Sequence, residues 1–231
     1  MNIRLVVFDI AGTTVADRGN INEAFRNAFL SIGIIVDAAD VDAVMGYRKM
    51  EAIKIIIDQY APDFSEDERI IKDIHDVFEN NMIEFYEEDK KLEPLPFALS
   101  VFQSLQERNI KVALNTGFTR AITDTILKRL GWIGNPLINA VVCSDEVPEG
   151  RPYPFMIQHI MQQLLIENVE DVIKVGDTEV DIKEGRNAGC GLVIAVTTGA
   201  YLREQLTKHD PDYIINSLNE LLPIVGQLNH N

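Results

Sequence analysis

Residues 6–15 read VVFDIAGTTV: an apolar run, a single carboxylate at Asp9, then a small polar turn. The run lacks the apolar–polar alternation of a strand with one wet face, so it suits a strand covered on both sides, as in a parallel sheet. Together with its flanks, RLVVFDI (4–10), it has counterparts in IKVALNT (110–116), AVVCSD (140–145), DVIKVGDT (171–178), LVIAVTT (192–198) and DYIINS (212–217). Helical patterns at Phe97–Arg108, Thr119–Leu130, Tyr153–Ile166 and Asp181–Ala188 separate the later runs. This alternation predicts an α/β fold, a parallel sheet with helices on both faces.

Residues 16–91 break the alternation, with helical periodicity and no convincing strand. Ile21, Ala24, Phe25, Ala28, Phe29 and Ile32 form one stripe. Ser65-Glu66-Asp67-Glu68 has the form of a capping box, opening a helix striped by Ile71, Ile74, Phe78, Met82 and Phe85. Packing accounts for both stripes, and a role of the first as a partner surface is the weaker alternative. The segment leaves at Glu93-Pro94-Leu95-Pro96, a natural boundary. The chain therefore divides into a core, 1–15 and 92–231, and an inserted all-helical cap, 16–91.

The net charge of −15, from 21 Lys and Arg against 36 Asp and Glu, repels nucleic acid and anionic membrane. An anionic substrate then needs cations placed locally, which draws attention to Lys49 and Arg151. Cys143 and Cys190 sit in apolar segments without metal-like spacing and read as reduced core residues. No stretch approaches the roughly 18 apolar residues of a membrane span, and the N-terminus lacks a signal pattern. A cytoplasmic protein is the expectation.

In an open parallel sheet, ligands bind beyond the carboxyl ends of the strands. Those ends carry Asp9, Thr116-Gly117, Ser144-Asp145 and Gly176-Asp177, with Asp181 four residues on. Two carboxylates beside backbone carbonyls make a hard oxygen site of the kind Mg²⁺ prefers. Thr116 stands before a helix, where its hydroxyl and nearby N–H groups can hold a phosphoryl oxygen. Phosphoryl transfer through Asp9 as nucleophile fits this set. No G-x-x-x-x-G-K-[ST] loop or G-x-G-x-x-G turn follows any strand, which counts against P-loop NTPases and dinucleotide enzymes.

DIAGT (9–13), NTG (115–117), GRPYPF (150–155) and GDTEVD (176–181) resemble the four motifs of the haloacid dehalogenase superfamily, which lie on a Rossmann-like core. The resemblance spans nearly the whole chain, including the place of the cap. It implies a Mg²⁺-dependent hydrolase in which Asp9 attacks phosphorus while Thr116, Gly117 and Arg151 neutralise the phosphoryl oxygens. Asp9, the Ala11 carbonyl and Asp177 would bind the metal, with Asp181 completing and orienting that shell.

Most phosphatases of the superfamily have Asp two residues after the nucleophile and Lys before the fourth motif, where this chain has Ala11 and Arg151. Both departures resemble the phosphonatase-like branch, phosphonoacetaldehyde hydrolase and its relatives, as do VPEGRPYPFM (147–156) and KVGDTEVDIKEGRNAG (174–189). A carbon leaving group has no oxyanion for an acid at residue 11 to protonate. In that branch a cap lysine condenses with the substrate aldehyde, and the matching stretch VMGYRKMEAI (44–53) puts Lys49 there, after Met45 and Gly46. Burial or Arg48 would lower its pKa. Ala52 replaces the branch's histidine, and His75, His159, His209 and His230 read as surface or packing residues.

The expected substrate is a small phosphonate or phosphate, and pairing through the cap is the expected homodimer. A phosphoglycolate-type phosphomonoesterase is the first rival and a non-catalytic phosphate-binding interaction protein the second. Dehalogenation, which has no use for the metal site, is weakest.

Overall fold

The computed structural model describes residues 2–228; His230 lies outside them. Strands β1 (Leu5–Asp9), β2 (Lys111–Thr116), β3 (Ala140–Cys143), β4 (Val172–Gly176), β5 (Leu192–Val196) and β6 (Tyr213–Ile215) form one sheet in the order β3-β2-β1-β4-β5-β6. Every pairing is parallel. This is the doubly wound, Rossmann-like order, whose ligand crevice lies where the winding reverses, between β1 and β4.

Helices α1 (Asn20–Leu30), α2 (Ala38–Ala43), α3 (Lys49–Tyr60) and α4 (Glu68–Glu88) follow β1, and α5 (Ala98–Glu107) leads into β2. The later connections carry α6 (Arg120–Arg129), α7 (Phe155–Leu164), α8 (Glu179–Ala188) and α9 (Arg203–Thr207), and α10 (Leu221–Leu228) follows β6. Successive strand side chains point to opposite faces. Val6, Phe8, Val112, Leu114, Ile173 and Val175 belong to one apolar cluster, and Leu5, Val7, Ala113, Val172 and Val193 to another. Helices therefore cover both faces. Phe8, fully buried, packs on Phe102 at a centroid distance of 5.2 Å; burying a side chain of this size contributes about 2–3 kcal/mol.

The α1 stripe turns inward: Ile21, Ala24, Phe25, Ala28 and Phe29 are buried, with Phe25 5.3 Å from Phe78 of α4. Ile32 lies past the helix and is exposed. Helices α1–α4 share one apolar cluster with the first face of the sheet. Their two links to the rest run side by side, with the Ala16 N–H donating to Glu93 O and the Leu95 N–H to Thr14 O.

Three local expectations need correction. Asp67, not Ser65, caps α4, accepting from the N–H groups of Arg69 and Ile70. Phe85 is only partly buried, and Tyr86 takes the core position beside it. The third run stops pairing at Cys143; Ser144–Glu146 is a 3₁₀ turn, and Asp145 accepts from the Arg120 N–H at the start of α6. Cys143 and Cys190 are buried free thiols. Among the described residues, no helix is long and apolar enough to cross a membrane.

Candidate active site

One small cavity sits over the β1–β4 crevice. Asp9, Ala11, Gly46, Lys49, Thr116, Gly117 and Asp177 all line it, with Asp17, Ile21, Met45, Phe118, Thr178 and Ala200. Residues as far apart in sequence as 9, 49, 116 and 177 thus meet at one place.

Asp9 ends β1 and is buried. Its Oδ1 accepts from Arg151 Nη1 at 2.7 Å. Burial pushes its pKa up to about 6 despite the opposing charge of Arg151. Asp177 follows β4; its Oδ1 accepts from the Thr13 hydroxyl at 3.1 Å and its Oδ2 from the Ala200 N–H at 2.7 Å. Burial and then the negative charges of Asp9 and Asp181 hold its pKa well above the usual carboxylate range. Gly12 makes this approach possible. Its φ of +84° suits glycine, and a methyl group there would lie 2.6 Å from Asp177 Oδ2.

Beneath Asp9 lies a buried ionic network. Arg151 donates to Glu184 through Nε at 3.0 Å and to the Asn115 carbonyl and side-chain oxygens through Nη2. Its Nη1 also reaches Asp181 at 3.0 Å. Lys174 of β4 meets Asn115, Asp181 and Glu184 at 2.7, 2.9 and 3.2 Å. Glu184 in turn accepts both contacts of the Asn115 amide nitrogen. Arg151 is fully buried with its donors spent on these groups, so it grips the nucleophile from behind instead of lining the cavity.

Asp181 is likewise outside the cavity wall. Its Oδ1 faces Arg151 and Lys174 and its Oδ2 accepts from Thr178 Oγ1 at 2.6 Å, so both oxygens are already engaged. Burial works to raise its pKa, but the two cations hold it below the ordinary value. Among the described residues, no three His, Cys, Asp or Glu side chains converge as a metal cage. Of the three carboxylates lining the cavity, Asp9 and Asp177 stand at the strand ends beside residue 11, and Asp17 belongs to the link that follows β1.

Lys49 opens α3 and is 4% exposed. Its Nζ lies 5.5 Å from the Phe118 ring centroid, 6.0 Å from that of Phe78 and 3.4 Å from the Tyr47 carbonyl oxygen. Burial lowers its pKa to about 8, with Asp9 and Asp17 opposing and Arg151 assisting. The relevant cation is therefore Arg151, and Arg48 instead reaches away to the Pro148 carbonyl at 3.0 Å. At neutral pH roughly one such amine in ten is uncharged, against roughly one in three thousand for a free lysine. Lys54, by contrast, is exposed and pairs with Glu66 at 3.3 Å.

The turn before α3 rests on the phosphate-binding turn expected at 116–117. A methyl group on Gly117 would come within 2.5 Å of the Tyr47 carbonyl oxygen and 2.6 Å of that of Gly46. Ser144 braces the other side, its hydroxyl donating to the carbonyls of Gly117 and Phe118. Gly117→Ala is expected to push the 45–48 turn off the core and lower kcat/KM on the order of 10²-fold, since misplacement of reacting groups by about 1 Å has that scale. Steady-state kinetics, with the thermal midpoint held as a control, checks this.

Sequence reasoning missed Asn115, Lys174, Glu184 and Asp17. Asn115, Lys174 and Glu184 lay inside motifs already quoted, but the contacts of the first two with Glu184 span 69 and 10 residues, and no local spacing announces them.

The sequence pattern of the family described as haloacid dehalogenase-like hydrolase matches residues 3–189. A phosphonoacetaldehyde hydrolase from Bacillus cereus is 32% identical over 230 residues, covering 91% of this chain and 83% of its own. One from Bacillus mycoides is also 32% identical over the same shares. Among solved structures, a phosphonoacetaldehyde hydrolase-like protein from Oleispira antarctica has a TM-score of 0.86 at 24% identity, over 100% of this chain and 94% of its own. A predicted phosphoglycolate phosphatase from Haemophilus somnus has a TM-score of 0.76 at 18% identity, over 97% and 98%; both structures share the fold. The family match runs from β1 through α8 and takes in every lining residue of the cavity except Ala200: this chain belongs to the haloacid dehalogenase-like hydrolases and is an enzyme.

Proposed function

We propose that the enzyme cleaves the carbon–phosphorus bond of phosphonoacetaldehyde or a related 2-oxo-alkylphosphonate, with Asp9 as nucleophile and Lys49 as the amine that activates the carbonyl. One observation carries this reading: a buried lysine with a depressed pKa shares a small cavity with the strand-end Asp9. The names of the 32% identical relatives agree with it.

The Lys49 ammonium gives up a proton so that the neutral amine can add to the substrate carbonyl; the adduct oxygen takes up the two protons lost from nitrogen and leaves as water, giving a protonated imine. The ionised oxygen of Asp9, aligned by Arg151, attacks phosphorus. As the new O–P bond forms, the C–P electron pair moves into the carbon chain and neutralises the imine as an enamine. Thr116 and the backbone N–H of Gly117 hold phosphoryl oxygens. A proton taken up at the enamine carbon restores the imine, and hydrolysis of the imine and of the aspartyl-phosphate then regenerates both side chains. Ala11 fits a leaving group that is a carbon, whose electrons go to the imine and need no acid at that position.

The site fits Mg²⁺. Asp9 and Asp177 face one cavity with Ala11, and their crowded negative charge is what a hard divalent cation relieves. Asp9, Asp177 and the Ala11 carbonyl would hold the ion, with Asp181 orienting them from behind. When bound, it supplies charge neutralisation at the phosphoryl oxygens. Residues 16–91 would act as the cap, moving on the paired links near 16 and 92 and keeping water out.

The test is release of acetaldehyde and phosphate from phosphonoacetaldehyde, run beside phosphoglycolate. Turnover of the phosphonate is expected with Mg²⁺, to fall to background in EDTA and to return when Mg²⁺ is restored. Fast Mg²⁺-dependent hydrolysis of phosphoglycolate with none of the phosphonate would make the enzyme a phosphomonoesterase.

A further inference from the structure

Imine formation moves two protons from nitrogen to oxygen. The ammonium sheds one before it attacks and the adduct sheds the other, while the oxygen gains both and leaves as water. Lysine cannot do both alone, so a second acid–base group near the amine raises the rate by about 10²–10⁴-fold. None of the histidines among the described residues lines the cavity. His75 lies beside Asp76, His159 meets Gln163, and His209 pairs with Glu179 at 3.2 Å.

Three carboxylates line the cavity: Asp9, Asp177 and Asp17. Asp9 is gripped by Arg151, and Asp177 by Thr13 and Ala200. Asp17 has no part in the steps above. It lies on the link between β1 and α1, where its Oδ1 accepts the Gly19 N–H at 3.0 Å and thereby fixes the turn. Lys49 and Asp17 line the same small cavity, yet among the described residues the two form no ion pair. The amine is therefore near the carboxylate without being locked to it. Burial also raises the Asp17 pKa, which eases proton return.

Resting on the imine reading, we infer that Asp17 is the proton-transfer group of that step. Its carboxylate takes a proton from the Lys49 ammonium, hands it to the carbonyl oxygen as the N–C bond forms, and then accepts the second proton from the adduct nitrogen. It returns that proton to the carbinolamine hydroxyl, which leaves as water while the nitrogen lone pair closes the C=N bond. Ammonium and aldehyde thus give protonated imine and water, so atoms and charge balance without a further co-reactant.

Asp17→Asn keeps an oxygen acceptor for the Gly19 N–H, and so the turn, while removing the proton acceptor. Wild type and variant are mixed with phosphonoacetaldehyde, quenched with borohydride at intervals, and the reduced adduct on Lys49 is measured by mass spectrometry. Labelling is expected to slow about 100-fold in Asp17→Asn, and formate is expected to restore part of the rate in Asp17→Ala. A purely structural role would not give that rescue. Labelling of Asp17→Asn at the wild-type rate overturns the inference while leaving the imine intact. If Asp17→Asn fails to fold, absence of formate rescue in Asp17→Ala overturns it instead. No adduct in wild type removes the imine reading itself, and this assignment with it.

Discussion

Asp9→Asn is expected to lower phosphate release on the order of 10⁵-fold, the scale seen when an enzyme loses its covalent nucleophile. The amide oxygen is a poor nucleophile and a weaker ligand for a hard cation, so both roles proposed for Asp9 are lost together. The fold should survive. Arg151 loses one partner but keeps Glu184 through Nε, Asn115 through Nη2 and Asp181 through Nη1, so no buried cation is stranded. The thermal midpoint separates lost chemistry from lost structure. Acid-quenched wild type should also carry a phosphoryl group on the peptide containing Asp9, and the variant should not. A soluble, folded Asp9→Asn retaining more than about one-hundredth of wild-type turnover would mean that another group attacks phosphorus, because no side-chain amide sustains such a rate as a nucleophile.

The same residue shows how much of the site was legible in the sequence. A continuous apolar run ending in one carboxylate fixes a buried parallel strand, and the rule for open α/β sheets then says where that carboxylate must point. Thr116-Gly117 and Asp177 followed by the same reasoning, and all three meet in one cavity. Reading by strand ends fails where chemistry depends on side chains behind the first layer. Lys174 sits within a strand and Glu184 within a helix, positions where a charged residue is ordinarily solvated. Only the long-range approach of Arg151 and Asn115 turns them into buried partners. Arg151 shows the converse: its type was legible, but its direction was not. A guanidinium that packs in a fixed fork against several acceptors does not reach outward as well, and here that fork faces Asp9, Asn115, Asp181 and Glu184. Asp17 escaped notice because an aspartate two residues before a glycine reads as a turn former, which it also is.

Lys49→Met should remove cleavage of the phosphonate and at the same time make the protein more stable, and this pair of opposite effects is the sharpest test of the site. Methionine has the length to fill the space between Phe78 and Phe118 but no amine to condense with a carbonyl. Without the imine, the C–P electrons have no sink, and turnover should fall on the order of 10³-fold or more, the scale of losing a covalent catalytic step. The stability effect follows from the same burial that readies the amine. Lowering the pKa from 10.5 to about 8 corresponds to about 3 kcal/mol disfavouring the charged lysine in the folded state. For a group whose folded pKa lies below its unfolded value, that cost is fully present below the folded pKa of about 8 and fades as pH rises toward 10.5. The midpoint of Lys49→Met should therefore exceed that of wild type at pH 7 by several degrees, and the difference should shrink as the pH approaches the unfolded pKa. Borohydride labelling of wild type should run the same titration in reverse, rising with pH to about 8 and levelling above it. Lysine facing solvent instead would give neither the gain in midpoint nor the low labelling threshold. Two calorimetric scans per protein, at neutral and at alkaline pH, thus reveal whether the amine beside Asp9 is held dry in the resting enzyme, before any substrate is added.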